Sequence, residues 1–373
     1  MEIAFTPEQE ELRAVLRGFL AEHADRRRLL DSGSPHDAEL WRRMATGIAV
    51  QGLAVPEEYG GSGFGAAEMC VVFEELGGAL AAGALLATAG LAVPALLACG
   101  DEEIKAEHLP GIADGSTIAT LALVEADGSW DAEAARTTAK EGADGFAIDG
   151  TKYFVLDGAA ADLILVTADT GAGTALFAVS GTAPGLTRRA HEAVDPTREM
   201  ARLDFASVPA RLVSRDPAVT GTALDHARIA LAAEQAGGAR WCLDAAVGYA
   251  KTRHQFDRPI GEFQAIKHRC ADMMVAVEAA RSAAYAAALT PHPDPAGLAV
   301  AAASAQICCS RAYTEVAAGA VQIHGGIGFT WEHDVHLYYK RAKTDEVLFG
   351  TPDWHRDRLA RLSGITEEGT DGH

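Results

Sequence analysis

Three features are scarce or missing in this 373-residue sequence, and each absence disfavours a class of protein. Lysine and arginine number 32 against 52 aspartates and glutamates, a formal net charge of -20, which argues against an extended basic surface for nucleic acid. The six cysteines show no CxxC spacing, and five lie in apolar, helix-like surroundings typical of buried, reduced thiols. No apolar run reaches about 18 residues, and residues 1–16 lack the segments of a signal peptide. These absences predict a soluble, cytoplasmic protein.

Several common catalytic and cofactor motifs are also absent. The sequence contains no GxSxG motif and no P-loop, which disfavours an esterase and a kinase. Residues 61–66 read GSGFGA, but they follow a turn-rich PEEYG and not a strand, so a Rossmann fingerprint is disfavoured. His324, His333 and His336 lack the spacing of a metal site, and we predict no metal ion.

The order of helical and strand-like patterns predicts three domains of an α+β protein. With 49% hydrophobic residues the chain can bury a large core. Residues 1–115 show helical periodicity and begin with a capped helix at Thr6. Residues 116–216 alternate short β runs with turns, which predicts a small, mostly antiparallel β domain. Residues 217–364 predict a C-terminal four-helix bundle, and residues 365–373 a disordered tail.

Apolar periodicity also predicts the individual helices. In the first domain, after the capped helix, they are expected at residues 37–49, 65–80 and 83–99. In the bundle they are expected at residues 224–253, 261–288, 295–324 and 333–349, with a final helix at 352–362.

Two segments of the bundle carry groups suited to a phosphate-containing cofactor. Residues 249–263 contain Arg253 and Phe256, and a guanidinium grips two phosphate oxygens in a fork geometry that a lysine cannot match. Residues 322–328 read QIHGGIG, and the glycines let backbone amides approach a ligand closely. An arginine that closes a helix would explain Arg253 alone, and a helix cap would explain one glycine but hardly three.

Together, these segments and the domain order resemble the acyl-CoA dehydrogenase family over nearly the whole chain. The resemblance implies the acyl-CoA dehydrogenase fold, FAD as the cofactor, and α,β-dehydrogenation of an acyl-CoA thioester. In the family, the glycine loop meets the dinucleotide bound to a neighbouring subunit. The implied cofactor-binding residues are Arg253 at the pyrophosphate, Phe256 near the adenine, and Gln264, Gln322, Gly326, Phe154 and Thr351 elsewhere on the cofactor.

The side of the site that faces the flavin ring departs from the family pattern. Val124 and Leu156 stand where the family has hydroxyl groups for the ring, although Phe154 retains an aromatic group able to stack on it. Trp130 is a further aromatic in the same region. The chain keeps the residues it would offer to a neighbour's flavin and lacks part of those for its own. We therefore predict a partner from the same family, as in two-gene α2β2 acyl-CoA dehydrogenases that often act on steroid side chains; divergence within a homotetramer is the alternative.

The catalytic base of the family is missing from both of its customary positions. The glutamate that precedes Gly-Thr in the family is Phe349 here, and the residue before the arginine of the first bundle helix is Ala227. Glu234 lies two helical turns further on, roughly on the same face and about 10 Å along the axis, and is the remaining candidate. A structural glutamate paired at an interface explains Glu234 equally well, and Glu346 is more simply part of a solvated face.

The resemblance leaves three hypotheses for the function. The first is an FAD-dependent acyl-CoA dehydrogenase subunit, acting on a fatty acyl or steroid-derived thioester with a second family member, and passing electrons to an acceptor such as electron-transfer flavoprotein. The second is a flavin-dependent oxygenase offshoot of the family, which needs no base for the α-proton. The third is a non-catalytic subunit that completes the FAD site of its partner.

Overall fold

A computed structural model describes residues 5–33, 36–81, 83–130, 135–142, 145–289 and 294–365. The tail predicted for residues 365–373 lies, apart from its first residue, outside the described residues. Within the part of the chain that the structure describes, no helix combines the length and the apolar character needed to span a membrane.

Helices form the first part of the chain. Helix α1 (Pro7–His23) begins with a capping box, in which Thr6 Oγ1 accepts from the Gln9 amide and Gln9 Oε1 accepts from the Thr6 amide. A π-helical segment, Leu86–Ala92, leads directly into a short α-helix that begins at Val93, so the single regular helix predicted over residues 83–99 is wrong in detail. The other helices are α2 (Arg26–Ser32), α3 (Ala38–Gly47), α4 (Ala66–Ala79), α5 (Val93–Ala98) and α6 (Glu102–Ala113).

A seven-stranded sheet follows. Its strands are β1 (Ala119–Ala122), β2 (Thr138–Gly142), β3 (Gly145–Leu156), β4 (Leu163–Asp169), β5 (Thr174–Ser180), β6 (Leu186–Ala190) and β7 (Met200–Ser214). Their order in the sheet is β1-β4-β2-β3-β7-β5, with β4 also paired to β5 and β6 paired to β7. Most pairs are antiparallel, as the sequence predicts, but β1 runs parallel to β4, and β2 meets β4 in parallel through one residue pair.

The last part of the chain is again helical. Its helices are α7 (Pro217–Thr252), α8 (Gln264–Leu289), α9 (Pro295–His324), α10 (Val335–Asp345) and α11 (Pro352–Leu362). A hairpin of β8 (His254–Gln255) and β9 (Arg258–Pro259) joins α7 to α8. The helix predicted over residues 333–349 is wrong at its end. Helix α10 stops at Asp345, and Phe349 and Gly350 have φ values of 60° and 114°, which no right-handed helix contains.

Helix α7 lies at the centre of the molecule and packs against α4, α8 and α9. Two glycines permit a close crossing with α4. A Cβ at Gly77 would lie 1.9 Å from the carbonyl oxygen of Glu234, and a Cβ at Gly237 would lie 1.8 Å from that of Glu74. This crossing fixes the middle of α7, including Glu234, inside the core.

The cysteines are less deeply placed than the sequence suggests. Cys70, Cys242 and Cys309 are buried, and the other three are half-buried. All six are free thiols.

Candidate cofactor and active site

The ends of α7 and α9 meet at one end of the bundle, where the expected dinucleotide residues lie. The rings of Tyr249, near the end of α7, and His324, the last residue of α9, stack with centroids 4.5 Å apart. This contact places Arg253, which follows α7, near the glycine loop that begins at Gly325. The His324 ring is buried, with Nδ1 2.7 Å from the Ala320 carbonyl oxygen, so it joins the two helix ends and serves as a structural residue.

The hairpin between α7 and α8 presents an aromatic ring to solvent. Phe256 and Asp257 at its turn have φ values of 56° and 59°, the conformation of a tight two-residue hairpin. Asp257 stands where the family has glycine, and aspartate tolerates this left-handed conformation better than most residues. Phe256 is 86% exposed and makes an edge-to-face contact with Phe263, with ring centroids 6.1 Å apart. Its ring is therefore available to stack on a planar group.

The remaining expected dinucleotide residues are exposed at the same end. Arg253, Gln264, Gln322 and Gly326 all lie on the surface. A Cβ at Gly326 would meet no atom within 4 Å, so open space adjoins the backbone there. Gln322 also lines a groove of about 500 Å³ between α8 and α9. The structure thus leaves the named residues of both sequence segments exposed, and the two segments are in contact through Tyr249 and His324.

Phe154 lies in the sheet domain, at a bulge in β3. The register between β3 and β7 shifts at this point, and Phe154 has a φ of 52°. Its ring turns outward, is 46% exposed, and stacks on His191 with centroids 5.3 Å apart. Val124 and Leu156, at the positions of the family's hydroxyl groups, are buried. The aromatic surface for a flavin ring is retained, while these hydroxyl groups are not.

Phe349 fills the position where the family carries its base. Its side chain is 0% exposed, and its ring meets Trp130 edge-on with centroids 5.1 Å apart. Arg228 Nε donates to the Phe349 carbonyl oxygen at 3.1 Å, and Asp225 pairs with the same guanidinium at 2.8 Å. An aromatic pair, in which Phe349 is buried and Trp130 half-buried, therefore stands where a carboxylate would meet a substrate. Sequence patterns gave no signal for this contact, because the two rings come from different domains.

The other residues considered near this segment have structural roles. Ala227 is 0% exposed and offers no polar group. The hydroxyl oxygen of Thr351 accepts from the Trp354 amide at 3.2 Å and so caps α11. Glu346 pairs with Lys343 one turn earlier on the helix surface, as expected for a solvated face.

Glu234 is held in a buried ion-pair network that joins α7, α10 and the loop before β7. Its Oε1 accepts from Arg198 and, at 2.6 Å, from Arg341 Nη1. Arg341 Nε also donates to Asp195 at 2.5 Å. The cavity beside Glu234 measures about 20 Å³, which leaves no room for an acyl group. This geometry favours the structural alternative for Glu234 over a catalytic base. The i,i+4 spacing of Arg341 and Asp345 is the one sequence signal that points to such a network.

Asp345 adds a third acid to this network and gives it a pH dependence. The two negative charges of Glu234 and Asp195 already match the two positive charges of the network's arginines. Asp345 is 0% exposed, and one of its carboxylate oxygens lies 3.2 Å from Arg198 Nη2. Burial raises the pKa of Asp345 from 3.8 to about 7, against the opposing pull of Arg198. At pH values between these two pKa values, Asp345 is protonated in the folded state and ionised in the unfolded state. The stability contribution of Asp345 therefore falls as the pH rises from about 4 to about 7.

We expect Asp345→Asn to raise the free energy of unfolding at pH 8 by about 1–4 kcal/mol and to change it little at pH 4, because an amide carries no charge to bury. Urea unfolding at the two pH values measures the difference. Asp353→Asn, on the exposed first turn of α11, is the matched control and should show no such pH dependence. An Asp345→Asn variant less stable than the wild type at pH 8 would contradict this account.

Models of three successive protein-family domains match the chain in order. The acyl-CoA dehydrogenase N-terminal domain matches residues 6–116, the middle domain matches residues 120–208, and the C-terminal domain matches residues 218–363. These matches follow the change from helices to sheet and back to helices. The predicted α+β class and acyl-CoA dehydrogenase fold are confirmed.

Individual proteins are similar over nearly the full length. Acyl-CoA dehydrogenase IpdE2 of Mycobacterium tuberculosis is 36% identical over 361 residues, covering 95% of this chain and 96% of the relative. The ChsE4-ChsE5 complex from Mycobacterium tuberculosis contains a chain 30% identical, with a TM-score of 0.90, covering 98% of this chain and 100% of that one. A variant of the Tcur3481-Tcur3483 steroid ACAD contains a chain that is 34% identical, with a TM-score of 0.86. The match covers 96% of this chain and 98% of that one. The three domain matches and the full-length relatives show that the chain belongs to the acyl-CoA dehydrogenase family, whose members are flavoprotein oxidoreductases acting on CH-CH bonds.

Proposed function

We propose that this chain is one subunit of an FAD-dependent acyl-CoA dehydrogenase, and that a second family member supplies the catalytic base. The observation that carries the proposal is the contact between the buried Phe349 and the half-buried Trp130 at the base position, together with the exposure of Arg253 and Phe256. A subunit that catalyses the reaction by itself would need a proton acceptor at the position of Phe349. This chain retains groups suited to holding a cofactor and lacks the group that starts the reaction.

The dinucleotide half of an FAD site fits the residues present. Arg253 would bind the pyrophosphate through two charge-assisted hydrogen bonds, Phe256 would stack against the adenine, and the loop at Gly326 has open space for close approach. When bound, FAD supplies the acceptor for the electrons removed from the thioester. The flavin-ring half fits less well, because Phe154 is exposed but Val124 and Leu156 are buried and carry no hydroxyl group.

In our proposal, the residues around the base position of this chain keep the thioester substrate out. The rings of Phe349 and Trp130 fill the position that a substrate α-carbon would approach, and Arg228 fixes the backbone that carries Phe349. Water and thioester are kept out of this half of the assembly. Turnover would then take place at the partner's base, on a cofactor that this chain helps to hold.

The relatives favour a heteromeric assembly and a steroid-derived thioester. ChsE4-ChsE5 is described as a complex, and Tcur3481-Tcur3483 as a steroid ACAD. We propose the same kind of assembly for this chain, an α2β2 tetramer that acts in the cytoplasm and passes electrons to an electron-transfer flavoprotein. A fatty acyl thioester is the alternative substrate, which turnover of the assembly on each thioester would distinguish.

Flavin content tests the proposal directly. Visible absorbance should show little flavin on this chain purified alone, and about one flavin per pair of chains after co-expression with a family member encoded nearby. The partner purified alone is the control. About one flavin per chain on this protein alone, bleached anaerobically by an acyl-CoA, would overturn the proposal. Oxygen consumption that needs reduced flavin but no acyl-CoA would favour the oxygenase hypothesis instead.

A further inference from the structure

A groove of about 770 Å³ lies among α1, α4, α7 and α8. The described residues that line it include five arginines, four acids and Trp241. The arginines are Arg13, Arg17, Arg26, Arg240 and Arg281, and the acids are Glu10, Glu74, Glu75 and Asp244. We call this feature the arginine groove. Its volume is within the range of natural small-molecule sites.

The buried part of the arginine groove is a preformed ion-pair cluster that joins α1, α4 and α8. Arg13 Nη1 donates to carboxylate oxygens of Glu74 at 2.6 Å and of Glu75 at 3.0 Å. Arg13 Nη2 donates to the hydroxyl of Tyr285 at 2.7 Å, and all four side chains are buried. Because both glutamates are paired with arginine, their negative charges are compensated within the protein. They therefore offer little repulsion to an anion in the groove.

Three arginines of the groove keep hydrogen-bond donors for a ligand. The side chains of Arg17, Arg240 and Arg281 are 67%, 51% and 31% exposed. Each approaches a carboxylate oxygen through Nε, at 2.9–3.0 Å. A guanidinium carries five N–H groups in a fixed fork, so pairing through Nε leaves further donors at the same side chain. These donors suit a carboxylate or a phosphate, which accepts two of them at once.

The charge balance of the groove differs from that of the whole chain. Acidic residues outnumber lysine and arginine by 52 to 32 in the sequence, whereas arginines outnumber acids by five to four in the described lining. Charges on distant parts of the surface are screened beyond about 8 Å at physiological ionic strength. Glu278 and Asp334 approach groove arginines from outside the lining, at 3.5 and 3.3 Å. An anion is therefore favoured by the N–H donors and not by a large net charge.

Trp241 gives the groove a flat aromatic surface. Its indole stacks on the ring of Tyr338, with centroids 3.7 Å apart and an angle of 5° between the planes. Tyr338 is 0% exposed, and its hydroxyl donates to the Gly78 carbonyl oxygen at 2.7 Å, so the stack is fixed to the core. The Arg26 guanidinium lies 5.6 Å from the centroids of both rings. A rigid, half-buried indole beside arginines is suited to hold a planar ring that carries negative charge.

The arginine groove is separate from the residues assigned to the cofactor. Trp241 and Arg253 are 12 residues apart, which corresponds to about 18 Å along the axis of α7. The described lining includes no residue of β3 or of the glycine loop, and it does not include Phe349. A ligand in the groove would therefore leave the FAD surface and the base position unoccupied.

We propose that the arginine groove binds a small aromatic anion. The flat ring of the ligand stacks on Trp241, and the exposed guanidinium groups of Arg17, Arg240 and Arg281 hold its carboxylate or phosphate. The site uses none of the residues that we assign to FAD or to the missing base. It goes beyond the proposed function and does not depend on it. An aromatic carboxylate and a mononucleotide share this chemistry, and competition separates these two sources.

Calorimetric titration of the full, flavin-free chain with 1-naphthoate tests the site. The wild type should bind about one naphthoate per chain. Ala21→Trp fills the groove from an exposed position of α1, Arg240→Ala removes a donor, and each should weaken binding by at least about tenfold. Circular dichroism establishes that each variant is folded.

Two matched controls should bind naphthoate with wild-type affinity. Val15→Trp adds an indole to the opposite face of α1, where Val15 is 50% exposed and does not line the groove. Arg42→Ala removes an arginine of α3 that is 62% exposed and paired with Glu39, as Arg240 is exposed and paired with Asp244. A loss of binding confined to Ala21→Trp and Arg240→Ala would assign the ligand to the groove.

Three outcomes would overturn the site: no naphthoate binding by the wild type, wild-type affinity in the folded Ala21→Trp variant, or equal affinity for the uncharged 1-naphthalenemethanol. Displacement of bound naphthoate by AMP would identify a mononucleotide as the ligand. Naphthoate binding that AMP leaves unchanged would identify an aromatic carboxylate. These titrations need neither flavin nor a partner subunit, so failure of the assembly proposal would not alter their result.

Discussion

Arg253→Ala is expected to weaken FAD binding by the assembled enzyme by about 30- to 150-fold, because hydrogen bonds to a charged group contribute about 2–3 kcal/mol. Arg253 lies on the surface, three residues before the exposed Phe256, and it follows the helix whose Tyr249 stacks on His324 just before the glycine loop. Its guanidinium has the fork geometry that grips two phosphate oxygens. Titration of the flavin-free assembly with FAD, followed by flavin fluorescence, measures the change.

Two further variants separate a specific phosphate contact from general charge. Arg253→Lys should restore only part of the affinity, since an ammonium cannot form the bidentate pair. Arg311→Ala removes an exposed arginine of α9 that pairs with Glu315 at 2.7 Å, and it should leave FAD binding unchanged. Unchanged affinity in Arg253→Ala would place the cofactor on other residues and contradict our assignment.

The part of the site that could be predicted from the sequence is the part built from neighbouring residues. Phe256 and Asp257 form a tight turn by themselves, so a motif of a few residues is enough to expect a protruding aromatic. Gly325 and Gly326 end a long helix, and their backbone freedom follows from their identity. The helical and strand domains follow for the same reason, because periodicity is a local property.

The part that could not be predicted depends on contacts between distant segments. Trp130 is visible in the sequence, but its contact with Phe349 arises only when the sheet domain packs on the bundle. Glu234 lies on a buried face, as its apolar neighbours suggest, yet whether it serves as a base depends on Arg198 and Arg341, which come from two other parts of the chain. The π-helical turn also follows from packing, and a pattern of small and apolar residues does not distinguish it from a regular helix.

Phe349→Ala is expected to lower the free energy of unfolding by about 3–5 kcal/mol without changing turnover per bound flavin in the assembly. The ring is 0% exposed, and its removal leaves a void beside Trp130. Phe349→Gly should be at least as stable as Phe349→Ala, because the φ of 60° strains any residue with a Cβ. Phe177→Ala is the control for the loss of an equally buried ring in the sheet core, far from the proposed site. Denaturant unfolding and steady-state assays provide the two measurements.

Phe349→Glu asks whether the pocket of this chain lacks only a base. A carboxylate at this position would be buried against Trp130, and the nearby guanidinium of Arg228 is already paired with Asp225. We expect the variant to be destabilised at least as much as Phe349→Ala, because burying an unpaired charge costs at least as much free energy as leaving a cavity. The number of flavins bleached per pair of chains should stay at about one, because Trp130 still blocks the approach of a thioester. A second bleached flavin per pair would show that the pocket accepts substrate and that one substitution silenced it, in which case this chain is a catalytic subunit that lost its base.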